Sequence, residues 1–332
     1  MVCFAKWTRL AAAAIASVAL TANAAFADDV YVALGDSFAW GYDKGASGGQ
    51  LPGAGGGYYT PYAQFLDQVN GSVGLTSFNF AVPGETTETY FSGVPAQKLG
   101  GVYPTPNPVG LIDAPFRNQS YNTNYPVFNP VTPTSQAAQF TNLADNLAAG
   151  DTIRFVTVQL GGNDILGTAA QFALNAEFAA LTPLEQQAIL NARFNDMATN
   201  YAAILSTIRA KAPNADIFLL TYPDAFPGLG PLNPLPQSGV LNTAATGIYQ
   251  TLADAFGAKL VDSRADFVGK ETTLTNITLL DGALPNFHPN AAGYSVIASR
   301  LISATAPEPG TLALLAVAGL SFVGRVRRTK RA

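Results

Sequence analysis

Histidine occurs once in this sequence of 332 residues, at position 288, and cysteine once, at position 3. That scarcity speaks against metal catalysis, because a site would have to be built almost entirely from carboxylates. A lone cysteine also leaves no partner for a disulfide within the chain. Charge is sparse as well, at 12% of residues, while 48% are apolar and 22 are proline. This balance suits an exported globular protein with long loops better than a cytosolic one. The length allows one large domain or two small ones.

Both ends carry processing patterns that must be set aside before the fold is read. Lys6 and Arg9 precede the apolar run Leu10 to Leu20, and Ala25-Phe26-Ala27 follows as a small-x-small cleavage site. Residues 1–27 are therefore expected to be a secretory signal; so alanine-rich a stretch has little bulk to pack as a buried helix. At the other end, Pro307-Glu308-Pro309 is followed by Gly310 to Gly324 without a charge, then by Arg325, Arg327, Arg328, Lys330 and Arg331. Fifteen helical residues span about 22 Å against about 30 Å of hydrocarbon, a marginal anchor helped by snorkelling arginines. The layout of residues 305–332 resembles the PEP-CTERM sorting tail of Gram-negative bacteria. That resemblance implies transient anchoring in the inner membrane, processing by an exosortase, and a product secreted or held at the cell surface or in the extracellular matrix.

Removing the ends changes the charge. The total of 18 basic and 22 acidic residues loses two basic ones with the signal, and five basic and one acidic with the tail from Pro307. The body keeps 11 basic and 21 acidic, a net of −10. An acidic body argues against nucleic acid or anionic membrane as a partner.

Within residues 28–304, apolar runs of strand length alternate with helical patterns. Val30 to Leu34, Thr76 to Val82, Ile153 to Leu160, Ile217 to Tyr222 and Lys259 to Val261 read as buried parallel strands. Thr182-Pro183-Leu184-Glu185 has the spacing of a capping box with proline at the first helical position. Phe194, Met197, Tyr201, Ile204, Leu205 and Ile208 then recur at helical spacing as a core stripe until Pro213. Pro61 to Val69, Ser135 to Ala149 and Ala291 to Ser303 are further helices. The alternation predicts one domain of class α/β, a three-layer α/β/α sandwich. Residues 91–133, rich in Pro, Asn, Gly and Tyr without periodicity, read as a long loop insertion. It either covers a cleft or packs on itself.

Three polar clusters fall where the predicted strands end, the place at which open parallel sheets bind ligands. Gly35-Asp36-Ser37 follows the first strand, Pro83-Gly84-Glu85 the second and Gly161-Gly162-Asn163-Asp164 the third. Asn286-Phe287-His288-Pro289-Asn290 precedes the last helix. Acyl transfer needs these residue types. A serine hydroxyl is a weak nucleophile until a base takes its proton, and histidine titrates in the working range. Glycine turns and an asparagine amide offer N–H donors to an oxyanion. Singly, each cluster is an ordinary turn; their order along the chain gives them force.

Together the blocks YVALGDSF (31–38), NFAVPGETT (79–87), GGND (161–164) and His288-Pro289-Asn290 with Gly293-Tyr294 resemble the SGNH, or GDSL, hydrolase superfamily. The resemblance implies a flavodoxin-like sheet of five parallel strands ordered 2-1-3-4-5 and a serine carboxylic-ester hydrolase without cofactor. It implies Ser37 as nucleophile and oxyanion donor, Gly84 and Asn163 as the other donors, and His288 as base. The substrate would be a small lipid, aryl or acetylated-carbohydrate ester. Phe38 stands where leucine is common. The larger departure is Pro285, at the place where the family usually has an aspartate that orients the histidine. Asp281 is the candidate to replace it if its loop folds back, against the bland reading of a turn-forming residue before Gly282. Otherwise a backbone carbonyl or water serves His288 in a dyad. Pro285 also keeps open a non-catalytic surface or matrix protein on the same fold. Flavin binding is disfavoured, since the first loop lacks a Ser/Thr-rich phosphate cradle.

Overall fold

The computed structural model describes residues 28–43, 57–69, 74–82, 85–92, 135–164, 181–232, 238–281 and 284–305. The expected signal, most of the insertion at 91–133 and the tail beyond residue 305 lie outside the described residues.

In chain order, the elements begin with β1 (Asp29–Gly35), α1 (Ser37–Trp40), α2 (Tyr59–Val69), β2 (Leu75–Asn79), α3 (Thr89–Ser92), α4 (Gln136–Asp145) and β3 (Thr152–Gln159). There follow α5 (Pro183–Lys211), β4 (Asp216–Leu220), a 3₁₀ segment at Phe226–Leu232, α6 (Ser238–Phe256), β5 (Lys259–Val261), α7 (Arg264–Phe267) and α8 (Glu271–Leu274). The short strands β6 (Leu280–Asp281) and β7 (Leu284–Pro285) and the helix α9 (Ala291–Thr305) complete the order. The first five strands form one parallel sheet in the order β2-β1-β3-β4-β5. This is the expected arrangement, and β6 and β7 pair separately as an antiparallel hairpin.

Side chains alternate across the sheet, so each face needs its own cover. Val30, Val32 and Leu34 of β1 pack with Val156, Val158, Ile217 and Leu219 under α4, α5 and α6. Tyr31 and Ala33 face the other way, with Phe155, Phe218 and Leu220 under α2 and α9. The pairing of β1 with β3 slips between Val30 and Tyr31, where Val30 faces Ile153 and Tyr31 faces Phe155. The extra residue is Arg154, which reaches back to Asp29 at 2.7 Å. This irregularity keeps Ile153 and Val156 on one face and Phe155 on the other.

Helix α5 starts as its sequence predicts. Thr182 Oγ1 accepts the Glu185 N–H at 3.4 Å, and Glu185 accepts the Thr182 N–H at 2.8 Å. A cap of this kind is worth about 1 kcal/mol. Met197, Tyr201, Ile204, Leu205 and Ile208 are buried as expected.

The topology gives the body two unlike ends. β1, β2 and β3 run out at Gly35, Asn79 and Gln159, beside the polar clusters. At the opposite edge α9 finishes against the start of β5, where Lys259 Nζ donates to the Ala304 carbonyl at 3.3 Å. Tyr62 and Thr305 share a hydroxyl hydrogen bond of 2.7 Å there. Residue 28, which precedes β1, lies at that same edge, its N–H donating to Asp151.

Candidate active site

Ser37 opens α1, a single helical turn. Asp36 precedes it in extended backbone and accepts the Phe38 N–H, and Gly41 closes the turn with φ 86°. Ser37 therefore sits at a sharp strand-to-helix reversal, at the C-terminal edge of the sheet. The reversal is tight at Gly35, where a Cβ would lie 2.5 Å from both Ala39 Cβ and the Gln159 carbonyl oxygen. Gln136, fully buried on α4, fixes the end of β1 from the side. Its Oε1 accepts the Gly35 N–H at 2.9 Å, and its Nε2 donates to the Gly35 carbonyl at 2.7 Å and to Glu85 at 2.8 Å. Glu85 is itself buried and accepts the Thr89 hydroxyl.

The structure brings His288 to Ser37, 251 positions away in the chain, with Nε2 2.7 Å from Oγ. Both side chains are buried. The imidazole stacks on Phe287 at 4.5 Å between ring centres, and Tyr42 meets it obliquely at the same distance. Nδ1 lies 2.7 Å from Asn286 Oδ1. Asp281 has its backbone in the β6–β7 hairpin, paired with Leu284; its side chain, like that of Pro285, lies outside the described ones. Gly84 and Pro83 are likewise outside the described residues. Asn163 is present beside the serine: both line one cavity. Its Nδ2 donates to the Glu85 carbonyl at 2.8 Å and lies 3.4 Å from Asp36 Oδ2.

That cavity has a volume of about 60 Å³. Phe38, Tyr222, Pro223, Phe226 and Phe287 supply apolar walls, and Asp224, Ser238 and Asn242 supply polar groups. Phe38, the departure from the usual leucine, meets Tyr222 edge to face at 5.1 Å. It also stacks on Phe287 at 6.0 Å. The larger side chain is thus absorbed into the wall.

Sequence reasoning gave no role to Asn286, Gln136 or Asp36. A local signal for Asn286 existed: asparagine commonly accepts a hydrogen bond from the backbone two residues on, and its Oδ1 does accept the His288 N–H at 3.1 Å. Asp36 could not be read in this way, because its burial is a tertiary fact. Its Oδ2 accepts the Tyr222 hydroxyl at 2.6 Å. Burial is the largest influence on its pKa, pushing it from 3.8 up to about 7 against the lowering effect of the Tyr222 bond.

A consequence for stability follows. The folded state holds the Asp36 proton more tightly than the unfolded chain from about pH 4 to 7, so stability is expected to fall as pH rises through that window. Asp164 and Asp224, pushed up mainly by burial, slope the same way. Asp266, held low by its bond to Arg300, titrates below the window. Thermal unfolding should give a lower Tm at about pH 8 than at about pH 5, with a smaller difference in Asp36→Asn. Equal differences in the two proteins would contradict this account of Asp36.

Comparison with known proteins places the chain. Residues 113–296 match the model of the GDSL-like lipase/acylhydrolase family. The chain belongs to that family. As a GDSL-like hydrolase it acts on ester bonds, and the support that Pro285 lent to a non-catalytic body falls away. The matched stretch contains Asn163 and His288 and begins after Ser37. Residues 305–328 match the PEP-CTERM protein-sorting motif, in line with the expected tail. Among solved structures, a lipase from a goat rumen metagenome is similar at 16% identity with a TM-score of 0.52, over 85% of this chain and 99% of the other. An extracellular lipase from Streptomyces rimosus is similar at 19% identity with a TM-score of 0.48, over 83% and 100%. The former shares the fold of this GDSL-like hydrolase. The comparison with curated proteins finds no match. Among the described residues no helix is long and apolar enough to cross a membrane.

Proposed function

We propose that this protein is a serine carboxylic-ester hydrolase working through an acyl-enzyme, with Ser37 as nucleophile and His288 as base. The observation that carries the reading is the 2.7 Å approach of His288 Nε2 to Ser37 Oγ at the wall of a cavity. His288 takes the hydroxyl proton as Oγ attacks the ester carbonyl carbon, and the carbonyl oxygen becomes an oxyanion. The Ser37 N–H, at the first position of a helical turn, has no carbonyl partner within that turn. With Asn163 Nδ2 and the Gly84 N–H it forms the donor set for the oxyanion. Collapse expels the alcohol, which takes the proton from His288. Water, deprotonated by the same imidazole, then releases the acid and restores Ser37.

Cavity size favours short acyl groups. One water needs about 10–15 Å³ of such space, so the cavity beside Ser37 has room for an acetyl or butyryl group. Among p-nitrophenyl esters, kcat/KM is expected to fall about tenfold or more from butyrate to laurate. An upward trend with chain length would reject the short-acyl assignment. The mechanism itself is tested by an alkyl fluorophosphonate: Ser37 Oγ should displace its fluoride, blocking turnover and adding the phosphonyl group to the peptide containing Ser37. Turnover that persists under full exposure to the reagent would count against it.

We further read residues 1–27 as a secretory signal, 28–304 as the hydrolase domain with its insertion at 91–133, and the tail as a transient inner-membrane anchor for an exosortase. The product would reside at the cell surface or in the extracellular matrix.

A further inference from the structure

We infer that Asn286 is the positioning residue of the histidine, doing with a neutral amide what an aspartate three residues before His288 does in the family pattern. The inference deepens the proposed serine mechanism and rests on it.

The geometry fixes which atom of the amide faces the ring. The backbone N–H of His288 can only donate, and it meets the Asn286 side chain at 3.1 Å. The atom it meets is therefore oxygen. The same oxygen lies 2.7 Å from His288 Nδ1. An oxygen lone pair needs a proton on that nitrogen, so Nδ1 carries the hydrogen and Nε2 carries the lone pair. Nε2 is the nitrogen 2.7 Å from Ser37 Oγ. The Asx-type bond to the backbone thus selects the tautomer in which His288 accepts the serine proton.

An amide in this place has a known hazard. In serine proteases, exchanging the orienting aspartate for asparagine costs about 10⁴ in kcat because the amide can enforce the wrong tautomer. Here the backbone N–H removes that freedom, since turning the amide over would set two N–H groups against each other. Asn286 is fully buried, and its own N–H donates to the Leu279 carbonyl at 2.8 Å, alongside the β6–β7 hairpin. Among the described residues its Nδ2 is a buried donor without a partner. Such an atom is costly to bury, and its retention fits an amide held for what its oxygen does. Pro285 ends the hairpin one residue earlier, so the orienting group moves from that position to the next.

The neutral amide differs from a carboxylate in one measurable way. It orients the ring but adds no full negative charge beside the imidazolium. Asn286→Asp should therefore keep the tautomer and move the acid limb of the kcat profile to higher pH, because an adjacent carboxylate raises the imidazole pKa. Asn286→Leu, of similar size without an acceptor, should lose about 10²- to 10⁴-fold in kcat with little change in KM. Other titratable groups around the ring are Tyr42, packed against it, and Asp43, bonded to Asn276, whose N–H donates to the His288 carbonyl. Both are common to every variant, so differences in the profile report on residue 286.

The test uses the full chain, purified without a histidine tag, with p-nitrophenyl acetate as substrate. His288 is the only histidine, so ¹⁵N-histidine labelling gives one imidazole whose tautomer is read directly by NMR, whether or not a variant turns over. The expected result is an Nδ1–H imidazole in the wild type and in Asn286→Asp, and a shifted tautomer ratio in Asn286→Leu with the loss in kcat. An active wild type whose Asn286→Leu variant keeps both its tautomer and its kcat would overturn the inference while leaving the serine mechanism standing. An Asn286→Asp variant as impaired as the leucine variant, with an unmoved acid limb, would overturn it too. A wild type that neither hydrolyses the ester nor is labelled at Ser37 would overturn the mechanism and the inference together.

Discussion

Ser37→Ala is expected to lower kcat for p-nitrophenyl acetate by about 10⁴- to 10⁶-fold while leaving the fold unchanged. The size of the loss follows from the chemistry. Without the hydroxyl there is no covalent intermediate, and what remains is the rate that the oxyanion donors and binding alone can support. The fold should survive because the hydroxyl group is small and its recorded hydrogen bond is the one to His288. Removing one such bond costs about 1 kcal/mol, so Tm should move by only a few degrees. His288→Ala should reduce kcat to a similar floor. The combined variant is the more telling measurement: residues that act as one unit are strongly non-additive, so the double replacement should be about as slow as either single one. A double variant slower by the product of the two single losses would mean that serine and imidazole act separately, and the shared proton transfer would have to be abandoned.

Much of this arrangement is legible along the chain, for a reason that lies in the sheet. A parallel strand covered on both faces must be apolar at successive positions, so Val30 to Leu34 and Ile153 to Leu160 stand out from any window around them. The turn after each strand then marks the place where function collects, and Ser37 and Asn163 fall at such ends, while His288 lies on the segment before α9. Boundaries shift by a residue or two, and β2 stops at Asn79 where the apolar run continues to Val82. The backbone still holds to β1 beyond that point, the Phe80 and Val82 N–H groups donating to the Ala33 and Gly35 carbonyls at 2.9 Å, and Phe80 and Ala81 are buried in the two core layers.

Other features needed the third dimension. Helix α6 is missing from the sequence reading, although Leu241, Ala245, Tyr249 and Leu252 recur at helical spacing and are buried. Threonine, alanine and glycine between them dilute the pattern, and the prolines before residue 238 draw attention to a loop. The β6–β7 hairpin has two residues per strand, too few for any periodicity. Its consequence is the site's main surprise: the residue on Nδ1 is neither at the expected position nor of the expected charge. Asn286 belongs to the very pentapeptide that identifies the histidine, yet only the distance to Nδ1 distinguishes it from an ordinary turn residue. Asp36 teaches the same point in electrostatics, since a Gly-Asp-Ser turn in sequence gives no hint that burial holds its carboxyl near neutrality.

Asn163 offers the second large effect. In Asn163→Ala, kcat for p-nitrophenyl acetate is expected to fall about 10²- to 10³-fold, the usual loss on removing one oxyanion donor. The side chain also ties the Glu85 carbonyl at 2.8 Å, so alanine alone cannot separate donation to the oxyanion from support of the segment beside Gly84. Asn163→Asp can. The carboxylate has nearly the same shape, but it brings negative charge to the place where negative charge develops, and it cannot donate. The aspartate variant is therefore expected to be slower than the alanine variant near neutral pH, and to recover partly in acid as the new carboxyl protonates and can donate again. Support of the Glu85 carbonyl needs the same N–H, so its loss would lower Tm in both variants, which donation to the oxyanion alone does not require. Measuring kcat for both variants across pH, with Tm as a control on folding, decides between the two: an aspartate variant faster than alanine near neutrality would remove Asn163 from the oxyanion donor set.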